Sequence, residues 1–227
     1  MAEAAIELHG VERRYGERVA LSGVTVSLAP RQTLVVLGAN GAGKTTLLRV
    51  LATLLRPHAG SCCVLGHELP GAAWEVRGRV GYLGHDPLLY RDLTGRENLA
   101  YHARLHGVDA GRVAERLEAV EMTRRADEPV RELSKGMVQR LAVARATLHD
   151  PAILLLDEPR ANLDPGAAEG LEPLIGRAAQ TTRVLVTHDV DGGLAEADVA
   201  LGLRGSAQSF ALPAKDVGTS EARALYR

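Results

Sequence analysis

The chain has 227 residues, 46% of them hydrophobic and 24% charged, which suits one sizeable α/β domain and excludes a disordered or fibrous chain. A formal net charge of −1 argues against a protein built to neutralise nucleic acid or an anionic membrane, so no nucleic-acid partner is expected. The longest apolar runs, such as 153–156, fall far short of the roughly 18 residues a membrane span needs, and the acidic Glu3 and Glu7 argue against a signal peptide.

Taken in order, the chain opens with short apolar runs at 6–8, 24–28 and 33–37, separated by Gly and Pro, which predict strands. The third, Leu34-Val35-Val36-Leu37, suits a strand covered on both faces. It leads into a Gly-rich turn and then a helical stretch that stops near Pro57. Cys62 and Cys63 are adjacent, cannot form an ordinary bridge with each other, and read as small residues in a buried strand. Thr94-Gly95-Arg96-Glu97 is a capping box that predicts a helix from Thr94 to about Gly107. Asp109 is expected to cap a second helix carrying Val113, Leu117 and Val120, and Ser134 a third carrying Met137, Leu141, Ala144 and Leu148. Asp150-Pro151 ends that helix, and apolar strands return at 152–156 and 184–186. A helical insert at about 88–150 therefore interrupts an α/β layer. Residues 211–227 read as a loosely attached tail with a helix after Ser220.

Among the basic residues, 24 are Arg and only 3 are Lys, so each Lys merits inspection. One of them, Lys44, closes Gly38-Ala39-Asn40-Gly41-Ala42-Gly43-Lys44-Thr45, which fits the phosphate-cradling pattern G-x-x-x-x-G-K-S/T. Gly residues let backbone N–H groups turn inward around phosphate, and the following helix N-terminus adds its positive end. Lys44 is expected to bridge the β- and γ-phosphates, with the Thr45 hydroxyl on Mg²⁺. The apolar strand 153–156 ends in Asp157 and Glu158, one suited to Mg²⁺ and the other to activating water. Ser134 leads a second helix N-terminus able to meet an anion, and His188 stands at a strand end within reach of a γ-phosphate or water.

With these motifs in place, the chain resembles the ATP-binding subunits of ABC transporters over nearly its full length. The resemblance matches Gly38 to Thr46 with the Walker A loop, residues 153–158 with Walker B and its catalytic Glu158, and Leu133 to Gln139 with the signature sequence. It further matches Ala161-Asn162-Leu163-Asp164 with the D-loop, His188 with the switch histidine, and Tyr15 with an adenine-stacking aromatic. It implies an α/β P-loop NTPase core with an antiparallel β subdomain and an inserted helical subdomain. One ABC ATPase domain would span 1–227, with a nucleotide-binding core at 1–87 and 151–210, a helical subdomain carrying the signature at 88–150, and a tail at 211–227. By the same implication two such domains pair head to tail, as homo- or heterodimer, so that Ser134 and Gly136 act on the partner's ATP. The assembly would sit peripherally on the cytoplasmic face of the membrane, driving a polytopic subunit docked in the groove at His85 to Tyr90, where Leu88, Leu89 and Tyr90 are expected to be exposed.

The chain departs from that family at several positions. The signature reads Leu-Ser-Lys-Gly-Met, placing Lys135 at the helix start, and Arg160 stands where Thr is usual and Arg31 where Gly often sits. In Tyr82-Leu83-Gly84-His85-Asp86-Pro87, His85 replaces the usual Q-loop Gln, and Asp86 follows it. Leu83-Gly84-His85 resembles the haem-exporter ATP-binding subunits of cytochrome c maturation, the CcmA-like branch, and haem export is the expectation drawn from it. The signature instead resembles drug, polysaccharide or sodium export ATPases, and a non-transport ABC ATPase such as an iron–sulfur assembly scaffold is the alternative of another class.

Overall fold

The computed structural model describes residues 4–226; Glu3 and the last residue of the expected tail lie outside them. Ten strands form one sheet in the order β5-β4-β1-β2-β10-β9-β3-β8-β7-β6. On one side β1 (Ile6–Tyr15), β2 (Arg18–Leu28), β4 (Ala59–Val64) and β5 (His67–Leu69) pair antiparallel. The first two strands run well past the apolar segments expected for them. Polar residues such as Glu12 and Arg13, both half-buried, extend β1 past its apolar start, and register shifts between Leu8 and Arg14 disturb the alternation that a sequence pattern relies on. Cys62 is buried in β4, and burial pushes its thiol up to about 12, which keeps it unreactive.

On the other side β3 (Thr33–Leu37), β8 (Thr182–Val186), β7 (Ile153–Asp157) and β6 (Val80–Leu83) are parallel neighbours. Every residue of β3, β7 and β8 is buried, as strands covered on both faces require. Because the four run the same way, their exit loops leave from one edge, the edge at which open parallel sheets bind ligands. β9 (Val199–Arg204) flanks β3, and β10 (Ala207–Pro213) returns along it and meets β2 at Ala207 and Ser22, joining the two halves of the sheet.

The first helix, α1 (Lys44–Leu51), stops earlier than Pro57 suggested, and a short α2 (Ala73–Arg77) follows β5. The insert holds α3 (Gly95–His106), α4 (Gly111–Ala119) and α5 (Lys135–Thr147) over an apolar core shared with Leu83, Leu154, Leu156 and Leu185 of the sheet. The Thr94 capping box closes both ways, Glu97 N–H to Thr94 Oγ1 at 3.1 Å and Thr94 N–H to Glu97 Oε2 at 2.8 Å. Gly107 ends α3 in the left-handed region at φ 64. Asp109 stands one residue before the N-cap of α4, which is Ala110, although its Oδ1 accepts from Gly111 N–H.

Helices α6 (Pro165–Ile175), α7 (Val190–Glu196) and α8 (Thr219–Ala224) complete the fold. The tail is not loosely attached. Ala214, Val217, Ala222 and Leu225 recur in i, i+3 pairs and are buried against Val35, Leu37, Val190 and Phe210. An exposed Arg223–Asp191 ion pair at 2.6 Å links α8 to α7. Among the described residues, no helix is long and apolar enough to cross a membrane.

Candidate active site

The turn after β3 is built around two glycines. Gly38 has φ 148 and a Cβ there would lie 2.4 Å from Leu203 O, while Gly43 has φ 105 and a Cβ would lie 2.3 Å from Ala20 O. Any side chain would force the backbone off the strands beneath it. Lys44 opens α1 directly after this turn, and its buried Nζ donates to Gly38 O at 2.6 Å and Ala39 O at 3.0 Å. Burial lowers the pKa of this ammonium, while Asp157 and Glu158 pull the other way. A buried ammonium whose hydrogen bonds go to loop carbonyls suits an anionic ligand.

At the end of β7, Asp157 Oδ2 accepts a 2.8 Å hydrogen bond from Thr45 Oγ1. Glu158 follows with φ 51, a left-handed conformation uncommon outside glycine, and its N–H is pinned to Val186 O at 2.9 Å. Burial raises the pKa of the Glu158 carboxyl, against the opposing pull of His188. Glu158 Oε1 is buried without a hydrogen-bond partner and lies 3.5 Å from His188 Nε2. A buried acceptor oxygen left open in this way fits a group that takes a proton from water.

These residues line one cavity of about 600 Å³, together with Tyr15, Asn40, Gly41, Gly43, Thr46 and His85. Three members of the expected loop stand outside the lining: Gly38 and Ala39 hold Lys44 through their carbonyls, and Ala42 is buried in the main core. Tyr15 sits at the rim, 44% exposed, with the Arg13 guanidinium 5.1 Å from its ring centroid. His85, itself exposed, enters the lining from the loop after β6, whereas the exposed Asp86 beside it does not line the cavity. Of the three residues expected to form an exposed docking cluster, Leu88 and Tyr90 are exposed but Leu89 is half-buried against the helical core. Asn98 staples this loop, accepting from Tyr90 N–H at 2.8 Å and donating to Tyr90 O at 3.0 Å.

Ser134 and Gly136 do not line the cavity of their own chain. Ser134 is exposed and caps α5 by accepting from Met137 N–H at 3.3 Å. Gly136 lies against the D-loop, where a Cβ would come within 3.0 Å of Asn162 O. Asp164 has a local task as well, capping α6 by accepting from Ala167 N–H at 2.9 Å, a bond that holds its carboxyl below the usual carboxylate range. Arg31 occupies a left-handed turn at φ 64, which accounts for a position where Gly would be at ease.

Three further residues reach the site without having been read from the sequence. Arg18 and Arg49 line the cavity; Arg49 lies four residues after Thr45, on the same face of α1, and that spacing was the available signal. Tyr226 donates to Thr187 O at 3.4 Å and sets its ring 6.3 Å from that of His188, a contact that depends on the packed tail.

The sequence model for ABC transporters matches residues 21–161. The chain belongs to the ABC transporter family. Over 192 residues it is 43% identical to the daunorubicin resistance ATP-binding protein DrrA3 of Streptomyces coeruleorubidus, an alignment covering 82% of this chain and 61% of that protein. Over 196 residues it is 40% identical to the Nod factor export ATP-binding protein I of Paraburkholderia xenovorans, covering 83% and 64%. The match thus spans less than two thirds of the length of these relatives. Among solved structures, an ATP-binding subunit of an ABC transporter superposes with a TM-score of 0.87 at 23% identity, covering 97% of this chain and 98% of that one. The ATP-binding cassette MJ0796, solved as a dimer with ADP and Pi, superposes at 0.83 with 24% identity, covering 93% and 100%. The fold is that of an ABC ATPase domain.

Proposed function

We propose that the chain is the ATP-hydrolysing subunit of an ABC export system, working as a head-to-tail pair beneath a polytopic membrane subunit on the cytoplasmic face. One observation carries this reading: four parallel strands deliver Lys44 and Thr45, His188, Asp157 and Glu158, and His85 to one cavity. In this account the loop from Gly38 to Thr46 cradles the phosphates, Lys44 swings from its loop carbonyls onto them, and Tyr15 supports the adenine. Glu158 accepts the proton of the attacking water, and His188 beside it contacts the γ-phosphate. Thr45 and Asp157, paired at 2.8 Å, offer the hard oxygen donors that suit Mg²⁺, which when bound neutralises phosphate charge. Ser134 and Gly136 face the partner's nucleotide, and Asp164 lies in the same interface. The core at 1–87 and 151–210 binds nucleotide, 88–150 forms the helical subdomain, and the tail reinforces the core. His85 and Asp86, with the groove towards Tyr90, relay nucleotide state to the membrane subunit.

The names of the relatives, daunorubicin resistance and Nod factor export, favour an organic compound of that kind as cargo. Haem handling for cytochrome c maturation is a second reading, supported by Leu83-Gly84-His85 and the place of His85 in the cavity lining. Co-purification of the chain with its membrane partner, followed by Mg-ATP titration of the parent and Lys44→Ala, tests the proposal. Partner capture and hydrolysis, with nucleotide affinity lost in the variant, are expected. Unchanged affinity in Lys44→Ala would overturn the assignment of the site.

A further inference from the structure

Arg160 lies two residues beyond Glu158 and reaches two helices at once. Its Nη2 lies 2.8 Å from Glu172 Oε2 on α6, and its Nη1 lies 2.5 Å from Glu196 Oε1 at the end of α7. Glu196 is not a loose surface carboxylate. Its other oxygen is 3.1 Å from Nη1 of Arg183, a side chain 2% exposed that also donates to Thr33 Oγ1 at 2.8 Å and Ile175 O at 2.9 Å. The guanidinium of Arg160 is therefore moored to a buried network reaching β3 and β8, whereas an isolated surface pair would contribute little.

Glu158 and His188 lie at the other end of α7, 3.5 Å apart. That helix begins just after His188, where Asp189 caps it by accepting from Gly192 N–H at 3.0 Å. The loop leaving β7 is thus tied to the β8–α7 segment twice, through Glu158 N–H with Val186 O at 2.9 Å and through Arg160 with Glu196. Glu158 sits at φ 51, a backbone state that persists only where its surroundings over-determine it. Gln139 holds the same loop from α5 by donating to Pro159 O at 2.9 Å.

We infer that Arg160 is a positioning residue that, through Glu196, sets the separation of Glu158 from His188 and so governs hydrolysis rather than ATP binding. The inference rests on the proposed roles of Glu158 and His188. Steady-state hydrolysis and nucleotide binding by Arg160→Met, Arg160→Lys and Glu158→Gln in the full chain test it. Displacement of the base predicts a kcat lower by about tenfold or more in Arg160→Met, with ATP affinity within about twofold of the parent. Arg160→Lys, able to reach one carboxylate, is expected to recover part of the loss. If Arg160→Met does not fold, Arg160→Gln reads the same split. An unchanged kcat, or a fall in kcat matched by a fall in affinity, contradicts the inference while Glu158→Gln remains inactive. Full turnover by Glu158→Gln removes the underlying site assignment and the inference with it.

Discussion

Thr45 and Asp157 stand 112 positions apart in the chain, yet Thr45 Oγ1 donates to Asp157 Oδ2 at 2.8 Å. Thr45 lies in the first turn of α1, after β3, and Asp157 ends β7, so the exits of two parallel strands with β8 between them bring these oxygens together. Thr45→Ala removes one donor and leaves Asp157 without its internal partner. The Mg²⁺ concentration for half-maximal ATPase activity is expected to rise by about 10- to 100-fold. Nucleotide affinity measured without Mg²⁺ should change little; an unaltered Mg²⁺ dependence would break the link between this pair and the metal.

The Glu158 carboxyl is raised above its ordinary 4.5 by burial. In its proposed role as base it works only when ionised, so the acid limb of the pH–rate profile should fall at a pH above 4.5. Folding responds with the opposite preference: the native state holds this proton more tightly, so the residue costs stability as pH rises above 4.5 and through the folded value. Glu158→Gln should therefore be inactive yet melt higher than the parent at neutral pH. Equal melting temperatures together with an acid limb at the ordinary carboxylate value would refute the burial argument.

The helical insert should be acid-sensitive. Burial lowers the pKa values of His102 and His149 from 6.5 to about 4, with Arg145 and His106 adding repulsion. Both are bound neutral in the native state, so their contribution is present above 6.5 and is lost as pH falls towards 4. Thermal melts at a series of pH values should show a decline over this window that shrinks in His102→Leu. A decline of the same size in the variant would assign it to other groups.

Much of the site was legible because its chemistry is carried by short contiguous patterns. Lys44, Thr45, Asp157, Glu158 and His188 each stand at or beyond the end of a buried strand, and a single parallel sheet is enough to gather such strand ends. Ser134 and the Thr94 box were legible for a similar reason, since a cap acts within four residues. The tail was not: Ala222 and Leu225 are ordinary apolar residues, and only the packed fold supplies Val35 and Phe210 as their partners. Arg160 was visible as an oddity without a reason, because Glu172 and Glu196 come to it through tertiary packing. Leu89 was assigned to an exposed cluster because its burial depends on the helical core, which a loop sequence does not reveal.

Ser134 and Gly136 stay out of the cavity that holds Lys44 and Glu158 in the same chain, and in the proposed head-to-tail pair they complete the partner's site instead. Specific ATPase activity across a dilution series of the full chain tests this most directly. The account predicts activity per molecule that falls on dilution as paired copies separate. Activity that stays constant while light scattering reports only the 24.2 kDa monomer would contradict it.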